Sequence, residues 1–146
     1  MTVATTKLDR LAVGQLPDAW SRGDEPGRFL ATGIRPGRTA VATVRAFEPL
    51  EANPDYLLDR FGARTIGPLG RPRVQSLPES LSDGISVVAF EEGADRTLTA
   101  RIDLVRRAWD LDIVVSARTA EVEAVEELFA AMLDLLATVR PVGDER

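Results

Sequence analysis

The chain contains no cysteine and no histidine, and Lys7 is its only lysine. Without cysteine there are no disulfides, no thiolate metal sites and no cysteine nucleophile. Without histidine the commonest general base and the commonest metal ligand are gone. Ser76, Ser86 and Ser116 therefore have no imidazole to activate them, and Lys7 lies in an N-terminal stretch with no structural signal, so serine catalysis lacks a base. Long apolar runs are missing too, and nothing approaches the length needed to span a bilayer. Met1 to Lys7 has neither a basic flank nor an apolar segment, so the expectation is a soluble, cytoplasmic protein without a secretory signal. Positive charge is in deficit: 18 basic against 23 acidic side chains give a net charge of -5. That balance repels a phosphate backbone, and nucleic acid is not expected as a partner.

What is present is enough apolar material for one core. With 146 residues, 45% of them hydrophobic, the chain suits a single domain over 1–146, with 1–7 and 141–146 flexible. Leu8 to Val13 suggests a first strand, and Gly14 to Trp20 a turn followed by loop to Gly27. Phe29 to Ile34 and Thr39 to Phe47 pair as a hairpin through Arg35-Pro36-Gly37-Arg38, where Pro and Gly occupy type II turn positions. Ala40, Ala42, Val44 and Ala46 share one face, small enough for a helix to approach closely. Asn53-Pro54 starts a short helix that buries Leu57, Leu58 and Phe61 and ends at Gly62. An irregular connection to Arg73, an extended segment at Val74 to Leu77, a bend, and a strand over Ile85 to Phe90 follow.

The clearest pattern runs from Arg96 to Arg140. Leu98, Ala100, Ile102 and Leu104 alternate with Thr97, Thr99, Arg101 and Asp103, and Trp109, Leu111, Ile113 and Val115 repeat the apolar face. A turn over Val105 to Ala108 predicts Leu104 opposite Trp109, Ile102 opposite Leu111 and Arg101 opposite Asp112, with one face in the core and the other in water. Thr119 is placed to cap a final helix whose first turns carry Glu121, Glu123, Glu126 and Glu127. Val122, Val125, Phe129, Met132, Leu136 and Val139 form its apolar stripe. The expected fold class is α+β: a single antiparallel sheet of six or seven strands, with a short central helix and a long C-terminal helix packed on it.

Two groups of side chains offer chemistry. Asp103, Asp110 and Asp112 fall on the polar face of the hairpin, with Asp103 beside Asp110 in the expected register. Such carboxylates can hold a raised pKa or a hard cation. No glycine-bearing ligand loop accompanies them, and solvation with screening by Arg101, Arg106 and Arg107 is the stronger expectation. Arg60, Arg64, Arg71 and Arg73 make a basic stretch suited to an anionic peptide or phosphate, although Gly62, Gly67 and Gly70 lack the spacing of a phosphate loop. Trp20 and Trp109 are either core anchors or the lining of a ligand pocket. The candidate partner-binding residues are Arg64, Arg71, Arg73, Arg101, Asp103, Asp110 and Asp112. No catalytic residue, metal or cofactor is expected.

Leu16-Pro17-Asp18-Ala19-Trp20 resembles the Pro-x-x-Trp step that often follows the first strand in the PsbP-like fold, and the Leu98 to Val115 hairpin leading into the helix after Thr119 is similar to its C-terminal half. That superfamily includes the photosystem protein PsbP, LpqN-type lipoproteins, DcrB-like proteins and Eag chaperones. The resemblance spans about Leu8 to Arg140 and transfers no functional residue. It implies a non-catalytic protein-binding accessory domain, an adaptor or secretion chaperone, with a protein partner and room for a homo-oligomer. The alternative is a carrier of a small apolar ligand between helix and sheet. A carboxylate-based or metal-dependent enzyme ranks third.

Overall fold

The structure, a computed structural model, describes residues 10–32, 39–53, 55–61, 67, 69–81 and 83–142. Nine strands and two α-helices occur among them: β1 (Leu11–Val13), β2 (Trp20–Arg22), β3 (Arg28–Thr32), β4 (Thr39–Phe47), α1 (Tyr56–Arg60), β5 (Arg73–Ser76), β6 (Gly84–Glu92), β7 (Leu98–Ala108), β8 (Leu111–Thr119), α2 (Val125–Ala137) and β9 (Val139–Pro141). Seven strands form one antiparallel sheet in the order β2-β3-β4-β8-β7-β6-β5, and β1 pairs with β9 in a separate two-stranded ribbon. The α+β architecture with a C-terminal helix is as expected from the alternation and the helical stripe. Leu8 to Val13 contracts to Leu11–Val13, Ser21 and Arg22 are strand rather than loop, and the chain is still paired at Pro141. The turn expected at Arg35 to Arg38 and the helix stop at Gly62 lie outside the described residues.

The sheet is two antiparallel meanders, β2-β3-β4 and β5-β6-β7-β8, joined where β4 pairs with β8. Because β4 and β5 lie on opposite sides of that junction, the connection between them must cross the sheet, and it does so over the face away from α2. The α2 face buries Ala42, Val44 and Ala46 of β4, Ala100, Ile102 and Leu104 of β7 and Ile113 and Val115 of β8 against Val125, Leu128, Met132, Leu135 and Leu136. The alanines of β4 are the small face read from the sequence. Trp20 closes this layer, its indole N–H donating to the Ala131 carbonyl at 2.8 Å, so it is a core anchor. On the opposite face, Phe47, Val105 and Val114 pack with Leu57 of α1, flanked by Tyr56, Phe61 and Ile85.

Both faces of the central strands are thus covered, which corrects the picture of one dry and one wet face. Leu111 to Val115 and Ile102 to Val105 are buried without interruption. Nearly continuous apolar runs are what a doubly covered strand requires.

The β7–β8 hairpin turns at Trp109–Asp110, both with positive φ (55° and 58°), and not over Val105 to Ala108. Leu104 faces Val115 and Ile102 faces Ala117, a displacement of six residues from the expected partners. Six is even, so the side chains that remain in the strands stay on their expected faces, while Trp109 and Asp110, expected in the second strand, form the turn and are exposed. Paired positive φ values mark a type I′ turn, whose right-handed twist matches the strands it joins. Without the usual Asn-Gly or Asp-Gly, its position was hidden in the sequence. Thr119 Oγ1 accepts a bond from the Glu121 N–H, but a 3₁₀ turn over Val122–Ala124 intervenes before α2 begins, with no side-chain cap. Asn53 Oδ1 accepts from the Asp55 N–H just ahead of α1.

Gly84, at the start of β6, is pressed against its neighbour: a Cβ there would collide with the Val105 carbonyl oxygen and a methyl of Leu77. Backbone atoms cannot give way as a flexible side chain does. Gly84→Ala is expected to lower stability by about 1–3 kcal/mol, read as a fall in the urea midpoint at unchanged m-value.

Candidate functional site

The crossover face is where the charged side chains of the hairpin gather, and their surroundings differ sharply from the expected solvent. Asp112, on β8, is fully buried (0% exposed) and Asp103, on β7, nearly so at 3%. A carboxylate in such a place needs a cation and hydrogen bonds, because desolvation otherwise opposes its ionised form. Asp112 stands directly across from Arg107 in the β7–β8 ladder. The Arg107 Nε donates to Asp112 Oδ1 at 2.5 Å and NH2 to Oδ2 at 3.3 Å, while the Tyr56 hydroxyl donates to Oδ2. The rest of that guanidinium reaches into the crossover, NH1 to the Ala52 carbonyl at 2.9 Å and NH2 to that of Glu51 at 3.1 Å. One arginine thereby satisfies a buried carboxylate and two loop carbonyls at once.

A second arginine repeats the arrangement across the sheet. Arg101 Nε donates to Asp103 Oδ2 and NH1 to Glu91 Oε1, each at 2.9 Å, and NH2 to the Phe61 carbonyl just after α1 at 3.1 Å. The Ser116 hydroxyl, opposite Asp103 in the ladder, donates to its Oδ1 at 2.6 Å. Asp103 and Asp112 are therefore structural counter-ions for the two arginines that pin the crossover. The expectation of solvated carboxylates is overturned for both, because α1 and its flanks cover the strand positions they occupy. Asp110 alone is exposed, in the turn, and does not meet Asp103. Among the described residues no three carboxylates converge as a metal site would need.

Electrostatics follow the same geometry. The Tyr56 phenol is held above its ordinary value, first by burial and then by its bond to the Asp112 carboxylate. Arg107 is raised, chiefly through its bond to Asp112. From the sequence, Arg107 is reached only as a screening charge in a turn, and Tyr56 is not reached. The available signal was the apolar run on both sides of Asp112, since an Asp inside a doubly covered strand must find a partner.

Beyond the pinned crossover the face opens into a depression of about 440 Å³ lined by Arg45, Asp59, Arg60, Phe61, Arg101 and Asp103. Arg60 stacks on the Phe47 ring at 4.6 Å. The remaining basic residues lie toward the free edge of the sheet. Arg73, on β5, pairs with Glu126 of α2 at 2.9 Å. Arg71 lines a second depression of about 420 Å³ with Leu69, Pro72, Ala89 and Phe90. Arg64 lies outside the described residues. The sequence candidates thus divide in part: Arg101, Asp103 and Asp112 belong to the crossover face, Arg73 to the β5 edge and Asp110 to the hairpin tip, while Arg71 shares the second depression with Arg101.

That edge has a specific geometry. β5 is the outermost strand, and all four of its residues are exposed. The Leu77 N–H donates to the Gly84 carbonyl at 3.1 Å, which makes Leu77–Gly84 a hydrogen-bonded pair. Such pairs alternate in antiparallel ladders, so Gln75 and Arg73 turn their backbone groups toward β6 while Val74 and Ser76 turn theirs outward. Val74 is also among the exposed large hydrophobics, as are Leu69 and Phe90, which line the second depression.

No family model and no curated protein matches the chain. Among the described residues no helix is long and apolar enough to cross a membrane.

Two outcomes test the crossover network. Asp112→Leu leaves the largely buried Arg107 without its counter-ion and is expected to lose about 3–5 kcal/mol of stability. Hydrogen exchange should rise first in residues 55–61 while 125–137 keep their protection. Alkaline pH provides the second. Because the Tyr56 phenol binds its proton more tightly folded than unfolded, its contribution is complete below the unfolded value of 10.0 and is lost as pH climbs through the raised folded value. Tyr56→Phe should flatten that part of the stability profile in denaturant titrations run across the range.

Proposed function

We propose that this chain is a non-catalytic protein-binding accessory domain that receives an extended segment of a partner protein along the free edge of β5. The observation that carries the reading is the outward presentation of the Val74 and Ser76 backbone groups on an edge strand exposed at every residue. An unpaired strand edge is a template for one more strand, with main-chain bonds supplying affinity and alternate side chains supplying selectivity. Pro72 and Pro78 bound the strand and restrict the partner to a short register. Val74 on the strand and Leu69 and Phe90 in the adjoining depression offer apolar contact, Arg71 in that depression offers a charge-assisted bond, and Arg73 is held by Glu126 in an exposed pair. The resemblance to PsbP-like adaptors and chaperones supports the same class of activity.

A backbone-directed substitution tests this without altering the core. The Val74 N–H faces away from β6, so Val74→Pro removes an outward donor while leaving the β5–β6 ladder intact. Losing that bond and crowding the incoming strand should weaken capture of the partner segment about tenfold or more. The measurement is quantitative native pull-down from the host, followed by titration of the recovered segment against both proteins. Equal affinity for the wild type and a folded Val74→Pro variant rejects edge binding. A wild-type chain that stays monomeric and partnerless at physiological salt rejects the protein-binding reading itself.

A further inference from the structure

Arg106 presents a different problem from Arg101 and Arg107. It follows Val105 on β7 and faces the α2 side, paired across the ladder with Gly84 and Ile113. Only 9% of it is exposed, and its Nε and NH1 are buried with no hydrogen-bond partner. Among the described residues no carboxylate pairs with it. Its guanidinium lies over the indole of Trp109, with the ring centroid 5.0 Å from the guanidinium carbon. A cation–π contact offsets part of the charge but accepts none of its in-plane N–H bonds. A charge of the same sign bears on it: Arg140, whose NH1 is committed to the Ala137 carbonyl at 2.6 Å and the Val139 carbonyl at 2.9 Å. Burial first, and Arg140 second, pull Arg106 below the ordinary arginine value.

Such a guanidinium is costly where it stands, and an apolar side chain of similar length would serve the core better. The indole that covers it is partly exposed, at 37%, and sits in a two-residue turn at the end of the hairpin. Trp109 can therefore swing about its side-chain bonds without disturbing the ladder. Arg107 is matched by Asp112, which leaves Arg106 as the guanidinium of the tip without an ion pair among the described residues, while the exposed Asp110 of the turn carries the opposite charge. Arginine and tryptophan are also the side chains that most often dominate protein interfaces.

We infer that the β7–β8 hairpin tip is a docking site for a carboxylate of a partner protein, with Arg106 as its anion receptor and Trp109 as a movable cover. The carboxylate oxygens accept the unpaired N–H groups as the indole swings out, and the indole then packs on the partner's surface. A planar oxyanion matches the fork of a guanidinium, and Arg140 adds long-range attraction. The site is separate from the β5 edge, and Val74→Pro leaves it in place.

The full chain can be tested without knowing the partner, by titrating a triglutamate peptide at constant ionic strength and following tryptophan emission together with the Arg106 Nε–H resonance. Saturable changes in both are expected for the wild type. Arg106→Met should abolish them and raise the melting temperature in the absence of peptide. Arg106→Lys, which keeps the charge but loses the fork, should bind at least tenfold more weakly. Trp109→Phe should silence the emission change while the Nε–H shift persists. Identical responses in the wild type and Arg106→Met, or an Nε–H resonance that does not move at saturating peptide, overturn the assignment. So does a response to inorganic phosphate with none to triglutamate. If Arg106→Met fails to fold, the wild-type Nε–H titration and Arg106→Lys decide alone.

Discussion

The Arg107–Asp112 pair is the constraint on which the crossover face depends. The two meanders of the sheet can be joined at β4 and β8 only if the intervening chain passes over one face of the central strands. That chain is short of helix, since α1 is five residues long, and five residues cannot nucleate a stable helix alone. It is held by what it docks against. Apolar contact of Leu57 with Phe47, Val105 and Val114 supplies one part. Bonds from Arg107 to the Glu51 and Ala52 carbonyls, and from Arg101 to the Phe61 carbonyl, supply the other, at the two ends of the segment. Without Asp112 the Arg107 guanidinium would be an uncompensated charge at a covered surface, and without Asp103 Arg101 would be left with Glu91 alone.

Buried ion pairs gain little over apolar residues of the same volume, because desolvation opposes the Coulomb attraction. Their use here is directional. An apolar patch would hold the crossover in several registers, whereas a guanidinium fork set between a fixed carboxylate and two named carbonyls accepts only one. Ser116 and Tyr56 complete the acceptors of the two carboxylates and fix their orientation. The exposed Arg73–Glu126 pair between β5 and α2 is of another kind, worth on the order of 1 kcal/mol or less in water. It links the free edge to the helix only loosely, which leaves that edge accessible.

Much of the fold was legible in the sequence because periodicity reports which side of an element is dry. β4 was read with its observed bounds, and the apolar alternates of β7 and β8 fell on the α2 face even though the hairpin register was displaced. The displacement escaped because Trp109–Asp110 is not one of the usual Asn-Gly or Asp-Gly pairs. A tryptophan at positive φ is set by strand pairing on either side of it, not by its own preference. The site was legible only in part. Arg101, Asp103 and Asp112 were singled out, but as a solvated partner surface. Arg107 was legible only as a screening charge and Tyr56 not at all, since their bonds to Asp112 and the loop carbonyls exist only once the crossover has been laid over the sheet.

Local chemistry therefore determined the strand faces, the amphipathic terminal helix, the small alanine face of β4 and the exclusion of cysteine and histidine chemistry. These follow from period-2 and period-3.6 burial and from composition, which need no knowledge of distant residues. Tertiary structure decided the rest: that the second sheet face is covered, that two aspartates and two arginines are locked there as counter-ions, and that Arg106 is buried with no carboxylate partner among the described residues. Each of these depends on contacts between residues far apart in the chain, and the sign of a side chain's environment is set by what packs over it.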